Sequence, residues 1–159
     1  MIFRHVFILS RIKSVLVSEI GKGAGVETGG PLAGYRSDDG ALVVVEAGGP
    51  GPHSRLSCSS VYLDGSDTLS WVEHVFDEQD GLYWYVGDWH FHRRLSLRPS
   101  SKDRTAMQVV SAYKGFGAAN PLSLICGSNQ GILDLRCYVW TGARLTSVKW
   151  SWLAAVPDL

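Results

Sequence analysis

Two histidines and an aspartate stand at short, fixed distances along the chain. Residues 87–104 read GDWHFHRRLSLRPSSKDR, so that one residue lies between His90 and His92, and Asp103 follows Ser100 by three positions. Residues two apart in an extended strand point to the same face, so both imidazoles could bind one ion. An aromatic-rich strand can also carry two polar positions without binding anything, since a two-residue motif recurs by chance.

Ser100 and Asp103 also fit a purely structural role. A serine followed three residues later by an acidic residue resembles a capping box at a helix N-terminus, and Pro99 suits a chain that enters a helix there. The two roles are compatible. A helix N-terminus gathers free N–H groups and partial positive charge, and an aspartate in the first turn can turn inward to a metal.

Two histidines and one aspartate make a set of three ligands that leaves a fourth tetrahedral position open, which is typical of catalytic rather than structural zinc. Such zinc lowers the pKa of a bound water towards neutrality. The water then needs a proton acceptor outside the ligand set. Glu27, within VETGGPLAG, has no helical or salt-bridge pattern to explain it, although an ordinary surface carboxylate would also account for it.

Together these pieces run in the order Glu27, GG-x-L-x-G, a long gap, H-x-H, seven residues and S-x-x-D. This order resembles, position for position, the signature of the JAMM/MPN+ (JAB1/Mov34/PAD-1) zinc metalloproteases, over about residues 3–126. The first part is matched by Gly30, Leu32 and Gly34 as well as Glu27. The segments ETGGPLAGY, GPGP and YVGDWHFH look most like the bacterial JAB branch, whose members are encoded with ubiquitin-like conjugation systems, including antiviral defence operons.

The resemblance implies a role for each residue of the signature. His90, His92 and Asp103 would bind one Zn²⁺ per chain, with water as the fourth ligand. Glu27 would accept the proton of the water and pass it to the leaving amine. Ser100 would donate a hydrogen bond to the carbonyl oxygen as it gains charge. The implied reaction is hydrolysis of an amide or isopeptide bond without a covalent intermediate.

The implied substrate is a ubiquitin-like protein joined through its C-terminus to a lysine or an extended tail, which could bind by strand addition beside the catalytic groove. Gly29 and Gly30 would leave the backbone accessible to this tail, although a tight turn needs glycine as well. The family usually has proline after the second histidine, where this chain has Arg93. This departure concerns loop shape and substrate preference rather than the ligands.

Basic residues crowd the segment between the ligands, at Arg93, Arg94 and Arg98. A solvated loop is the usual explanation, because arginine is seldom buried. The alternative is a contact from Arg93 and Arg94 to an acidic partner surface or to carbonyls of the bound tail.

Two other functions remain open at the level of sequence. A non-catalytic MPN-like scaffold would pair with another protein, although silent members of the superfamily typically lack a ligand and this chain has all of them. A JAB hydrolase could instead act on sulfur-carrier adducts or on peptides. Cognate activating or conjugating enzymes are possible further partners. The short insertions indicate little discrimination among conjugate linkages.

Composition narrows the class of protein. The chain has 159 residues, with 15 basic and 15 acidic side chains. We expect one domain, residues 1–159, without a nucleic-acid partner. The odd set Cys58, Cys126 and Cys137 predicts reduced core thiols. The apolar run at 6–9 is too short for a signal peptide, and no segment approaches a membrane span, so a cytoplasmic protein without a membrane partner is expected.

Other candidate motifs are weaker. GKGAGVETGG lacks the spacing of a phosphate-binding loop. His5, His53 and His74 show no partner pattern and are expected to be surface or structural residues, with His53 in a loop that could touch substrate.

The elements that must position these residues follow from hydrophobic periodicity. Helices are predicted at 11–20, with Ser10 as N-cap, at 66–78 and at 100–113. An Asp-Gly hairpin should join the strands at 31–36 and 41–47. The other predicted strands are 3–9, 59–63, 82–89, 122–126, 132–140 and 145–152. Strands and helices do not alternate strictly, which favours an α+β fold with a curved mixed sheet flanked by helices, as in the MPN/JAB (cytidine-deaminase-like) domain.

Overall fold

Ten strands and three helices form in the part of the chain that the computed structural model describes, residues 2–23, 25–94 and 96–156. The strands are β1 (Val6–Leu9), β2 (Gly29–Arg36), β3 (Leu42–Ala47), β4 (Arg55–Leu56), β5 (Val61–Tyr62), β6 (Trp84–Phe91), β7 (Leu122–Asn129), β8 (Ile132–Trp140), β9 (Leu145–Val148) and β10 (Trp150–Leu153). The helices are α1 (Ile12–Lys22), α2 (Gly65–Glu78) and α3 (Ser101–Ala112), and a 3-10 turn follows α3 at Lys114–Phe116.

Eight strands make one sheet in the order β10-β1-β3-β2-β6-β7-β8-β9, while β4 and β5 form a separate hairpin. The sheet is mixed, because β1 is parallel to β3 and β10, and β6 is parallel to β7, whereas the other neighbours are antiparallel. It is curved and nearly closed, and its two outermost strands, β9 and β10, are consecutive in the chain. The predicted α+β class with a curved mixed sheet is confirmed.

The helices pack against the sheet at separate places. Helix α1 lies on β1 and β3 and buries Ile12 and Leu16, whereas α2 lies on β2 and β6 and buries Val72 and Val75. Helix α3 lies against β8 and buries only Met107. The site elements β6 and β2 are therefore packed against a helix, while α3 is held to the rest of the molecule through Met107 and Val110.

The predicted hairpin and most predicted elements are present with boundaries shifted by a few residues. Gly40, in the Asp-Gly turn, has a φ of +83°, which is the left-handed conformation that glycine adopts without strain. The predicted N-cap at Ser10 is wrong. Arg11 occupies that position without a side-chain cap, and the hydroxyl of Ser10 instead donates to the carbonyl of Leu153.

The predicted single strand at 145–152 is also wrong, because the chain divides there into β9 and β10 around Lys149. Strand β9 pairs with β8, and β10 pairs in parallel with β1 at the opposite edge of the sheet. One straight strand cannot pair with both edges. The alternation of apolar and polar residues is the same on each side of Lys149, so it does not reveal that the chain changes its partner strand there.

Two of the three cysteines are core thiols as predicted, since Cys126 and Cys137 are buried and free. The prediction is wrong for Cys58, which is exposed in the turn before β5. No helix within the described residues has both the length and the apolar character that a membrane span needs.

Candidate metal centre

Strand β6 is held rigidly in the middle of the sheet, between β2 and β7. A register shift places Leu32 opposite Gly87 and Ala33 opposite Tyr85. Gly87 has a φ of +153°, and a Cβ there would lie 2.0 Å from the carbonyl oxygen of Leu122, so glycine is the residue that fits. The irregularity lies on the same strand as His90, with Gly87 three positions before it.

The N-terminus of α3 forms the capping box that the sequence indicates. The hydroxyl of Ser100 accepts from the backbone N–H of Asp103 at 3.2 Å, and the carboxylate of Asp103 accepts from the backbone N–H of Ser100 at 2.5 Å. The same carboxylate faces both histidines. The capping interpretation of Ser100 and Asp103 is therefore confirmed, and the same cap holds the Asp103 carboxylate where it faces the two histidines.

Three ligand atoms converge between the end of β6 and the start of α3. The Nε2 atoms of His90 and His92 are 2.9 Å apart, and the Asp103 oxygens lie 3.2 Å and 3.3 Å from them. Their side chains are only 13%, 11% and 14% exposed. A tetrahedral zinc with bonds of about 2.0–2.2 Å has ligand atoms about 3.3–3.6 Å apart. The distances to Asp103 lie at the lower edge of this range and the Nε2–Nε2 distance is shorter, while the nitrogen and oxygen donors and the partial burial suit a metal ion of this kind.

Hydrogen bonds set the protonation of this cluster. The Nδ1 atom of His92 lies 3.0 Å from the carbonyl oxygen of Ser96, which can only accept, so the Nδ1 atom carries a proton, and in the neutral imidazole the Nε2 lone pair points to the centre. Burial lowers the pKa of His92, but its hydrogen bonds to Asp103 and Ser96 and the charge of Glu27 raise it overall. Burial also disfavours the charged form of Asp103 and so raises its pKa, but hydrogen bonds with His90 and His92 hold that pKa well below its usual range.

Glu27 lies beside this cluster, although it precedes His90 by 63 positions in the chain. It stands just before β2, where its backbone N–H donates to the carbonyl of Ser57 at 2.8 Å. Its carboxylate accepts, at 3.4 Å, from the backbone N–H of Arg93. Its charge also contributes to the raised pKa of His92. The structure thus brings all five residues of the predicted site to one place, with the half-buried Glu27 carboxylate outside the three ligands.

The predicted substrate-contacting residues divide into two pairs. Gly29 and Gly30 are buried strand residues rather than turn residues, paired with His90 and Trp89. A Cβ on Gly29 would lie 2.4 Å from the Trp89 carbonyl oxygen, and one on Gly30 would lie 2.0 Å from that of Gly48. Both glycines are therefore needed for close packing next to the ligand strand, and a contact with substrate stays a prediction. Arg93 and Arg94 are exposed beside the site.

Asp88 is a further charged residue near the centre that the sequence did not single out. Its Oδ1 atom and the hydroxyl of Tyr85 are buried without a hydrogen-bond partner among the described residues. Burial raises the pKa of Asp88 to about 7. The available signal was an acidic residue within an apolar central strand, two positions before His90.

His53 and His74 are exposed and His5 is partly buried, as expected for surface or structural residues, although each has a polar partner that the sequence pattern did not indicate. His5 Nε2 is 2.9 Å from the hydroxyl of Ser151, and His74 lies 3.7 Å from Glu78. His53 forms a second cluster with two aspartates at the start of α2. Its Nδ1 atom is 2.8 Å from one oxygen of Asp67, and its backbone N–H donates to the other.

Comparison with known proteins agrees with the predicted resemblance, although no protein-family model matches the chain. The chain is 32% identical over 114 residues to a CD-NTase/cGAS isopeptidase of Enterobacter hormaechei. That match covers 72% of this chain and 62% of the relative, so this chain spans less than two thirds of the relative's length. It is 24% identical to the probable metalloprotease y4qB of Sinorhizobium fredii, over 86% of this chain and 83% of the relative.

Among solved structures, the solution structure of protein DSY2949 from Desulfitobacterium hafniense superposes with a TM-score of 0.61 at 14% identity, covering 95% of this chain and 94% of that one. This match concerns the fold alone. The sequence relatives, the α+β fold and the convergence of the signature residues together show that the chain belongs to the bacterial JAB branch of the JAMM family.

Proposed function

We propose that this chain is a zinc-dependent isopeptidase or peptidase that releases a ubiquitin-like protein from its conjugates or trims its C-terminal extension. The observation that carries the proposal is the convergence of His90, His92 and Asp103 with the Glu27 carboxylate just outside the three ligand atoms. The names of the relatives, an isopeptidase and a probable metalloprotease, support an amide hydrolase that uses a metal.

His90, His92 and Asp103 would hold the zinc. Zinc in such a site supplies a Lewis acid and lowers the pKa of a bound water. The hydrogen bond from His92 to the Ser96 carbonyl orients one imidazole, and the capping box of α3 orients the carboxylate of Asp103. Neither ligand needs to reorganise when the ion binds, because secondary structure and these hydrogen bonds already hold both in place.

Glu27 moves the proton. Its carboxylate takes the proton as the water oxygen adds to the carbonyl carbon, and it delivers that proton to the nitrogen as the amide C–N bond breaks. The contact with the backbone N–H of Arg93 holds one carboxylate oxygen at the edge of the site. Zinc binding does not require this residue, so its removal should affect the rate alone.

Ser100 stabilises the charge that develops on the carbonyl oxygen. A serine hydroxyl has one proton to donate and two lone pairs. In the capping box its oxygen accepts from the backbone N–H of Asp103, which leaves the O–H proton free to donate. The serine is exposed, so a substrate carbonyl can reach it. One side chain can therefore cap the helix and stabilise the oxyanion in the same position.

The substrate we propose is a ubiquitin-like protein, because that is what the bacterial JAB branch is encoded with. Its extended C-terminal tail would bind beside the site by strand addition, with the activating and conjugating enzymes of the same system as further partners. The whole chain would act as a single JAB domain, and neither nucleic acid nor a membrane takes part.

The test is cleavage of a bacterial ubiquitin-like protein that carries a C-terminal extension. Wild type should contain about one zinc per chain and should cleave the fusion at the end of the ubiquitin-like domain. Glu27→Gln should keep the zinc and the thermal unfolding curve and should lose about 10²–10⁴-fold in kcat.

Glu73→Gln is the matched control, because Glu73 is an exposed acid on α2, away from the site. It should cleave at the wild-type rate. Wild-type activity in Glu27→Gln would disprove the proposed mechanism. If the protein contains no zinc, is unaffected by chelation and does not cleave the fusion, the alternative function of a non-catalytic MPN-like scaffold is favoured instead.

A further inference from the structure

The metal centre is bordered by a concentration of positive charge. Five basic side chains, here called the basic rim, lie on the loop after His92 and on the first turn of α3: Arg93, Arg94, Arg98, Lys102 and Arg104. All five are exposed. No described acidic residue forms an ion pair with any of them.

This concentration is unusual for a chain whose 15 basic and 15 acidic residues balance. Within residues 93–104 the sole acidic residue is Asp103, whose carboxylate already faces the two histidines. The opposite charge collects in residues 64–80, which hold Asp64, Asp67, Glu73, Asp77, Glu78 and Asp80 and contain no lysine or arginine. The molecule therefore has a basic border at its site and an acidic α2.

Contacts hold the basic rim in place. The hydroxyl of Tyr138 on β8 donates to the carbonyl of Leu97 at 2.9 Å, and the Leu97 side chain packs over Gly127, where a Cβ would lie 2.5 Å from it. The guanidinium of Arg104 donates back to the carbonyl of Pro99, which joins the helix to the loop. The charges are thus arranged around the centre by anchored backbone.

Like charges crowded in this way repel one another and weaken the free protein slightly, and a complementary surface removes that cost on binding. We propose that the basic rim docks an acidic patch on the protein part of the substrate and steers it towards the metal centre. This inference rests on the proposed function, because it assigns an acidic surface to the substrate of the same site.

A nearby acidic residue, Asp134, does not neutralise the basic rim, because it forms an ion pair with Arg136 at 3.1 Å.

A protein surface fits the basic rim better than a nucleic acid does. Single-stranded nucleic acids are bound by basic grooves that carry aromatic side chains for stacking, and residues 93–104 contain no aromatic residue. Nucleic-acid binders also usually carry a basic excess, whereas this chain has a net charge of +0.

Binding can be measured without cleavage in zinc-loaded Glu27→Gln protein. The probe is a fluorescein-labelled peptide with a run of glutamates, compared by anisotropy with the same peptide carrying glutamines. At low salt the glutamate peptide should bind at least about tenfold more tightly, and the difference should shrink at about 0.15 M salt. Adding Arg94→Glu and Arg98→Glu should remove the preference.

The matched control adds Lys13→Glu and Lys149→Glu, which make the same charge change at exposed positions on α1 and between β9 and β10. This control should keep the preference. Equal binding of both peptides, or an equal loss in rim and control variants, would overturn the inference. Tighter binding of a single-stranded oligonucleotide of equal charge would overturn it too. Failure of the proposed function would show separately, as missing zinc or absent cleavage with an intact glutamate preference.

Discussion

Two clusters of histidine and carboxylate occur in this molecule, and they differ in how their polar atoms are used. At the end of β6, two imidazoles and one carboxylate face a common point, and their side chains are 11–14% exposed. At the start of α2, one imidazole meets two carboxylates, and His53 is 75% exposed. Both sets have ligand atoms within 4.8 Å of one another.

Three of the four carboxylate oxygens in the α2 cluster already accept hydrogen bonds from neighbouring residues. Asp64 caps the helix by accepting from the backbone N–H groups of Ser66 and Asp67, and both oxygens of Asp67 accept from His53. In the β6 cluster the two Nε2 atoms are 2.9 Å apart, an arrangement that a shared cation stabilises. Proximity alone therefore does not make a metal site. The convergent ligand atoms and the burial of the β6 cluster are what support the metal site proposed there.

The largest expected difference is in metal retention. His92→Ala removes one of three ligands, so zinc affinity should fall by more than about 100-fold. Removing a residue that only orients a ligand costs about 10–100-fold, and removing the ligand itself should cost more. His53→Ala should retain zinc and full cleavage activity. Zinc content after dialysis against a chelator measures both. Loss of zinc from His53→Ala, or its retention in His92→Ala, would reverse our assignment of the two clusters.

Zinc should also stabilise the fold through one cluster alone. A ligand that binds only the folded state at about 1,000 times its Kd adds about 4 kcal/mol to the free energy of unfolding. We expect a clear rise in melting temperature on adding zinc to metal-free wild type and to Asp67→Asn, and little rise for Asp103→Asn. A rise that is lost in Asp67→Asn would place the metal at α2.

The two helix caps sharpen the comparison, because each belongs to one cluster. Ser100→Ala and Asp64→Ala should each lower the free energy of unfolding by about 1 kcal/mol, since each removes a cap. Ser100→Ala should in addition lower kcat by about 100-fold if its hydroxyl stabilises the oxyanion. Denaturant unfolding and cleavage kinetics separate the effects. Equal kcat values in the two variants would show that Ser100 caps the helix and has no part in stabilising the oxyanion.

The smallest expected effect is a pH dependence of stability from the α2 cluster. The hydrogen bond to Asp67 raises the pKa of His53 above its ordinary value of 6.5. The folded state thus holds this proton more tightly, so the contribution is fully present below about pH 6.5 and is lost as the pH rises through the raised pKa. The urea midpoint of wild type minus that of His53→Gln should shrink from pH 5.5 to about pH 8.5. A pH-independent difference would show that His53 contributes no charge-dependent stability.

The candidate site was largely predictable because its parts are local. His90 and His92 share one strand face by period two, and the Ser100–Asp103 spacing is that of a capping box in any sequence. Glu27 was found through the family signature, because nothing near it in the sequence indicates its distant partners. The pairing of His53 with Asp67 was missed for a related reason. They are fourteen positions apart, and the segment that joins them has no periodicity that predicts a contact.

The sequence by itself determined most of the elements, the candidate ligand residues and the capped helix, because these depend on side-chain spacing within a few residues. The tertiary structure alone decided which distant segments meet. It divided the last predicted strand at Lys149 so that β10 could pair with β1, exposed Cys58 and buried Asp88. These outcomes depend on how the sheet curves and closes, and that curvature is a property of all eight strands packed together, which no local pattern encodes.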